Sequence, residues 1–202
     1  MASKTAVLIL AIAVLVLTVT TLAPTLVLAQ EYSVQLAVVG LPAGVTTRYY
    51  VDGVLNGTIQ TGETKVLSFA LGSAHTISVD LYVNFSNETR YQCRLPNLIS
   101  FSEARLLTFT YKAQYRLEVL SEFVSPTGAD WYDEGTTAYA GLPTNVTAGP
   151  EGVRYVFVRW EGDASGRETV SNAIVMDRAK KAVAVWKTQY SLRTSSDPAG
   201  IL

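Results

Sequence analysis

The sequence predicts an all-β protein: two small tandem β-sandwich or β-repeat domains behind an N-terminal hydrophobic helix. Three observations carry that expectation. Past residue 30 the apolar residues alternate in short runs, and no stretch keeps a helical period. Gly, Pro, Asp-Gly and Asn-Gly punctuate the runs roughly every 8–12 residues, the spacing of sandwich strands. One string, aromatic-Lys-x-Gln-Tyr-x-Leu, occurs twice: Tyr111-Lys-Ala-Gln-Tyr115-Arg-Leu117, and Trp186-Lys-Thr-Gln-Tyr190-Ser-Leu192, 75 residues later. A self-similar period longer than a strand marks tandem units, so each string reads as a joint. The expected organisation is a leader at 1–30, a β-sandwich domain at 31–113 and a β-repeat domain at 114–188. Residues 189–202 then start a third repeat or form an edge strand.

The leader opens with Lys4 and continues apolar from Thr5 to Ala23, before Pro24 and Val27-Leu28-Ala29. That is the layout of a secretory signal cut before Gln30. The run is also long enough to span a bilayer through residues 5–23 if it stays uncleaved. Both readings put residues 31–202 outside the cytoplasm, secreted or held at the cell surface. Four of the six asparagines sit in Asn-x-Ser/Thr sequons, making Asn56, Asn84, Asn87 and Asn145 candidate glycosylation sites. Charged residues are 16% of the chain and its net charge is −1, with no basic stripe, so nucleic acid is not an expected partner. The single cysteine, Cys93, excludes a disulfide within the chain and reads as a small buried hydrophobe.

In the first unit, Tyr32–Val39 alternates as a half-buried strand, and Gly40–Gly44 turns into Thr46–Val51. Asp52-Gly53 predicts a tight reversal with positive φ, and Asn56-Gly57 a second turn. Strands are expected at 64–71, 75–83, 91–95 and 106–111. Leu41-Pro42-Ala43-Gly44-Val45, Tyr50-Val51-Asp52-Gly53 and Gly72-Ser73-Ala74-His75-Thr76-Ile77-Ser78-Val79 resemble the PEGA-type domains of bacterial and archaeal surface proteins. That resemblance implies a small sandwich that displays or tethers other parts, without catalysis. The loop from Tyr82 to Glu103 departs from it. His75, the only histidine, reads as a strand-start residue closing a turn, since a metal would want more imidazole, thiolate or clustered carboxylate.

In the second unit, Tyr115, Leu117 and Val119 point inward and Arg116 and Glu118 outward. Ala129–Gly135 reads as an aromatic and acidic loop, Thr136–Ala140 as a short strand and Val153–Trp160 as a central strand with both faces covered. Val170–Met176 and Lys181–Trp186 form a last hairpin. Tyr115-Leu117-Val119, Trp131-Tyr132-Gly135, Tyr155-Phe157-Trp160-Gly162-Asp163, Met176-Asp177 and Ala184-Val185-Trp186 together resemble a divergent internalin-type B-repeat. The Asp130-Trp-Tyr form is similar to repeats of archaeal secreted proteins. The resemblance implies spacer or adhesion modules rather than active sites. Trp160 and Trp186 read as core, each ring burying about 200 Å², on the order of 4–6 kcal/mol. Trp131 and Tyr132 are candidate ligand-stacking residues. Asp130, Asp133 and Glu134 lack the oxygen spacing of a calcium loop and read as a solvated acidic turn.

No phosphate-binding loop, nucleophile elbow, zinc-helix motif or cysteine pair is present. The expectation is a non-enzymatic surface protein with no cofactor, no catalytic residue and no metal ligand. Its partners would be sister surface proteins or copies of itself. The alternative is a carbohydrate-binding module that takes a glycan on Trp131 and Tyr132.

Overall fold

The computed structural model describes residues 30–94 and 96–195, and every regular element among them is a β-strand. The predicted leader, with its hydrophobic helix, lies outside the described residues, as do residues 196–202 of the expected third repeat or edge strand. Among the described residues no helix is long and apolar enough to cross a membrane.

The chain runs through β1 (Glu31–Val39), β2 (Thr46–Val51), β3 (Val54–Gln60), β4 (Thr64–Ala70) and β5 (His75–Val79). Then come β6 (Tyr82–Asn84), β7 (Thr89–Cys93), β8 (Leu98–Phe101) and the long β9 (Arg105–Leu120). The rest is β10 (Asp130–Asp133), β11 (Thr137–Ala138), β12 (Val146–Ala148), β13 (Val153–Gly162), β14 (Ile174–Val175) and β15 (Lys180–Tyr190).

One sheet orders β3-β2-β5-β8, and facing it are β4-β1-β9 with β7 and β6 beyond β9. Their inner faces share a cluster of buried side chains that includes Val34, Leu36, Ile59, Ile77, Leu107 and Phe109. The alternation read from Tyr32 to Val39 is the cause: Tyr32, Val34, Leu36 and Val38 are buried, and their neighbours are not. The strand expected over 75–83 is instead two. The chain crosses from one sheet to the other at Asp80-Leu81, where the Asp80 carboxylate accepts from Arg48 Nε at 2.8 Å and from the Tyr50 hydroxyl at 3.0 Å. The reversal at Asp52-Gly53 has φ of 50° and 78°, as a primed turn requires. Asn56-Gly57 is not a turn. β3 runs through it, with a bulge where Tyr49 faces Gly57 and Tyr50 faces Leu55.

The second cluster gathers Leu117, Val119, Ala138, Leu142, Phe157, Trp160, Ile174, Met176 and Ala182 under the sheet β12-β13-β15-β9. Trp160 is core as read, its indole donating to the Glu168 carbonyl at 3.1 Å; Trp186 packs at the edge of the cluster and donates to Ser121 Oγ at 3.1 Å. Strict alternation puts Phe157 and Trp160 on opposite faces of the strand. A register shift between Phe157 and Arg159 brings both rings into one core, 5.5 Å apart.

The two clusters share no residue, and one strand serves both. The strands expected at 106–111 and 115–119 are a single 16-residue strand, β9. Nothing in Tyr111-Lys-Ala-Gln-Tyr115 can turn, and the inward positions 107, 109, 111, 113, 117 and 119 stay in phase.

Candidate functional site

Around Gln114 the long strand β9 has partners on both edges. β7 pairs antiparallel along one edge, with Arg90 opposite Gln114 and Gln92 opposite Lys112. β10 pairs antiparallel along the other, with Asp133 opposite Gln114 and Trp131 opposite Arg116. Directly opposed residues project from the same face of a sheet. Tyr82 and Asn84 on β6 lie opposite Gln92 and Arg90 and so join that face. The result is a polar, aromatic face on the side of the sheet away from the cores, built from both halves of the chain.

Gln114 sits at its centre, 7% exposed. Its amide oxygen accepts from Arg90 Nε at 2.8 Å, and its amide nitrogen donates to Gln92 Oε1 at 2.7 Å and Asp133 Oδ1 at 3.0 Å. Arg94 Nη2 lies 2.6 Å from Asp133 Oδ2. The Arg90 guanidinium is flanked by two rings, 4.2 Å from the centroid of Tyr82 and 4.6 Å from that of Trp131. Such contacts contribute about 0.5–2 kcal/mol depending on desolvation. Burial raises the Asp133 carboxyl, but the hydrogen bonds from Arg94 and Gln114 outweigh it and hold the pKa below the ordinary carboxylate value.

The two residues read as a stacking pair do not lie together. Trp131 is on the polar face, half-buried against Arg90. Tyr132, the next residue on the strand, points the other way, packs against the second core and donates its hydroxyl to the Gly128 carbonyl at 2.9 Å. The segment read as an acidic loop is the strand β10, because Trp131 and Asp133 alternate with Tyr132 against β9. Asp133 is held by Arg94 and Gln114, and Asp163 by Arg178, with Oδ1 2.7 Å from Nη2. Sequence reasoning passed over Tyr82, Arg90 and Gln92. The signals toward this face were Trp131 and the repeated Gln of the echo.

Asn56, Asn84, Asn87 and Asn145 are all exposed. Asn56 is the extra residue of the β3 bulge, Asn87 lies in the β6–β7 turn and Asn84 is on the polar face opposite Arg90. His75 Nδ1 is 2.6 Å from Asp52 Oδ2 and Nε2 is 2.8 Å from Ser73 Oγ, so the imidazole joins the Asp52 turn to the start of β5. Cys93 is buried, and burial pushes its thiol up to about 11, which keeps it protonated at neutral pH. Among the described residues no three His, Cys, Asp or Glu side chains converge on a common point. No family model, curated protein or solved structure matches the chain.

Proposed function

We propose that this chain is a non-enzymatic β-repeat protein, secreted or anchored at the cell surface, in which tandem units act as structural, spacer or adhesive modules. The observation that carries the reading is the shared strand. β9 closes the first hydrophobic cluster and opens the second, and the groups around Gln114 lock β7 to β10 across it. A joint of this kind holds neighbouring units in a fixed relation, which a spacer needs and a flexible linker does not provide. The hydrophobic leader and four exposed sequons support export.

The experiment is membrane-impermeant biotinylation of intact cells, followed by N-terminal sequencing and intact mass of the captured chain. Labelling is expected, with the mature chain starting near Gln30 for a cleaved signal or at Met1 or Ala2 for an anchor. A chain labelled only after lysis overturns the reading, as does turnover of polysaccharide or peptide by the purified protein. The carbohydrate-binding alternative predicts glycan-array binding that is lost in Trp131→Ala with the fold retained. On this geometry it rests on Trp131 and Tyr82, both packed on the Arg90 guanidinium, rather than on the Trp131–Tyr132 pair.

A further inference from the structure

The arrangement around β9 recurs around β15, with one place left open. β7 lies antiparallel to β9 with Arg90 opposite Gln114; β13 lies antiparallel to β15 with Arg154 opposite Gln189. Arg90 Nε donates to Gln114 Oε1 at 2.8 Å, and Arg154 Nε to Gln189 Oε1 at 2.7 Å. The Arg116 N–H donates to the Glu88 carbonyl at 3.0 Å, and the Ser191 N–H to the Gly152 carbonyl at 2.8 Å. β6 pairs with β7 as β12 pairs with β13, and β1 runs parallel to the start of β9 as the end of β9 runs parallel to the start of β15.

The neighbour without a counterpart is β10. On β9 it covers the second edge of Gln114–Leu117, and its Asp133 takes a Gln114 amide proton. Among the described residues no strand covers that edge of Gln189–Leu192, and the Gln189 amide nitrogen donates to no acceptor. Tyr115 and Leu117 pack into the second cluster, whereas their counterparts Tyr190 and Leu192 are 78% and 87% exposed. An open depression of about 670 Å³ lies over the adjoining end of the β13–β15 ladder, lined by residues that include Arg154, Thr188, Gln189 and Tyr190.

We infer that this edge is a docking site for an extended segment of the Asp130–Asp133 type, supplied by a further unit of the same repeat. The segment enters antiparallel to Gln189–Leu192. Its carboxylate takes the Gln189 amide protons, and an aromatic two residues earlier stacks on Arg154, as Trp131 does on Arg90. The inference rests on the reading of units joined through shared strands.

The test is the chain to Thr194 followed by a second copy of residues 120–190, which keeps the 75-residue register. Hydrogen exchange at Tyr190 and Leu192, whose N–H groups face the open edge, is expected to slow at least about 100-fold relative to the original chain, whereas Ser191 already donates to the Gly152 carbonyl. Most of that protection should be lost in Gln189→Ala, and in the extended chain whose appended copy of Asp133 is changed to Asn. Unchanged exchange alongside native near-ultraviolet dichroism of the appended tryptophans overturns the inference. So does an appended unit that stays unfolded. The readout is made on purified protein, so failure of surface labelling leaves it intact.

Discussion

Gln114 is buried with all of its bonding taken up inside the protein. Its three partners come from positions 19 to 24 residues away and from both sides of the strand. Removing a buried amide of this kind leaves a guanidinium and a carboxylate short of partners, and hydrogen bonds to charged groups contribute about 1.5–3 kcal/mol each. Gln114→Ala is therefore expected to lower stability by about 2–4 kcal/mol in urea titration. Asp133 adds a pH dependence with a fixed sign. Its folded pKa is depressed, so its contribution is complete above the unfolded value near ~3.9 and is lost as pH falls through the folded value. The urea midpoint should drop on acidification below about pH 4, and Asp133→Asn should flatten that drop while lowering the midpoint at pH 7. The echo drew attention to Gln114 from sequence alone. Its chemistry was not legible, because Arg90 and Gln92 lie in a stretch with no motif of their own, and only strand pairing brings them to Gln114.

At the scale of elements, alternation was a good guide wherever one face was buried. Tyr32–Val38 and Tyr115–Val119 have the inward sets read from sequence. It failed at irregularities. The bulge after Phe157 reverses the phase of β13, and strict alternation, which puts Arg154 on one face and Arg159 on the other, does not register it. β10 was missed because four residues between Gly128 and Gly135 carry too short a pattern to separate strand from loop. The fusion of two predicted strands into β9 makes its midpoint sensitive. Lys112→Pro puts a residue without an N–H opposite Gln92 of β7 and is expected to cost about 3 kcal/mol or more. The loop after β1 is sensitive for a different reason. Gly40 has φ of 89°, and a Cβ there would lie 2.0 Å from the Tyr111 carbonyl oxygen, so the β9 backbone itself excludes any side chain. Gly40→Ala should cost about 2–4 kcal/mol by thermal or urea unfolding, combining left-handed strain with that clash.

Across the whole molecule, two hydrophobic clusters hang on one strand. Leu36 and Leu117 are each fully buried, in different clusters. Leu36→Ala and Leu117→Ala should each cost about 2–5 kcal/mol. In native-state hydrogen exchange each should loosen mainly its own cluster, whereas Lys112→Pro should loosen both; equal loosening of both clusters by Leu36→Ala would show a single cooperative block. The all-β class was legible because strand period and turn residues are local signals. The way the halves join was not, because parallel pairing of β1 with β9 and of β9 with β15 links residues about 60 to 70 positions apart. That parallel pairing has a mechanical consequence. When the chain is stretched from its two ends, β1 is pulled at its start and β9 at its finish. The rungs from Val34–Arg105 to Val39–Thr110 then carry load along the strands and must break together, rather than opening one after another like a zipper. β9 and β15 meet in the same sense from Leu117–Lys180 to Leu120–Val183, so tension passes from one clamp to the next through a strand with no slack in it.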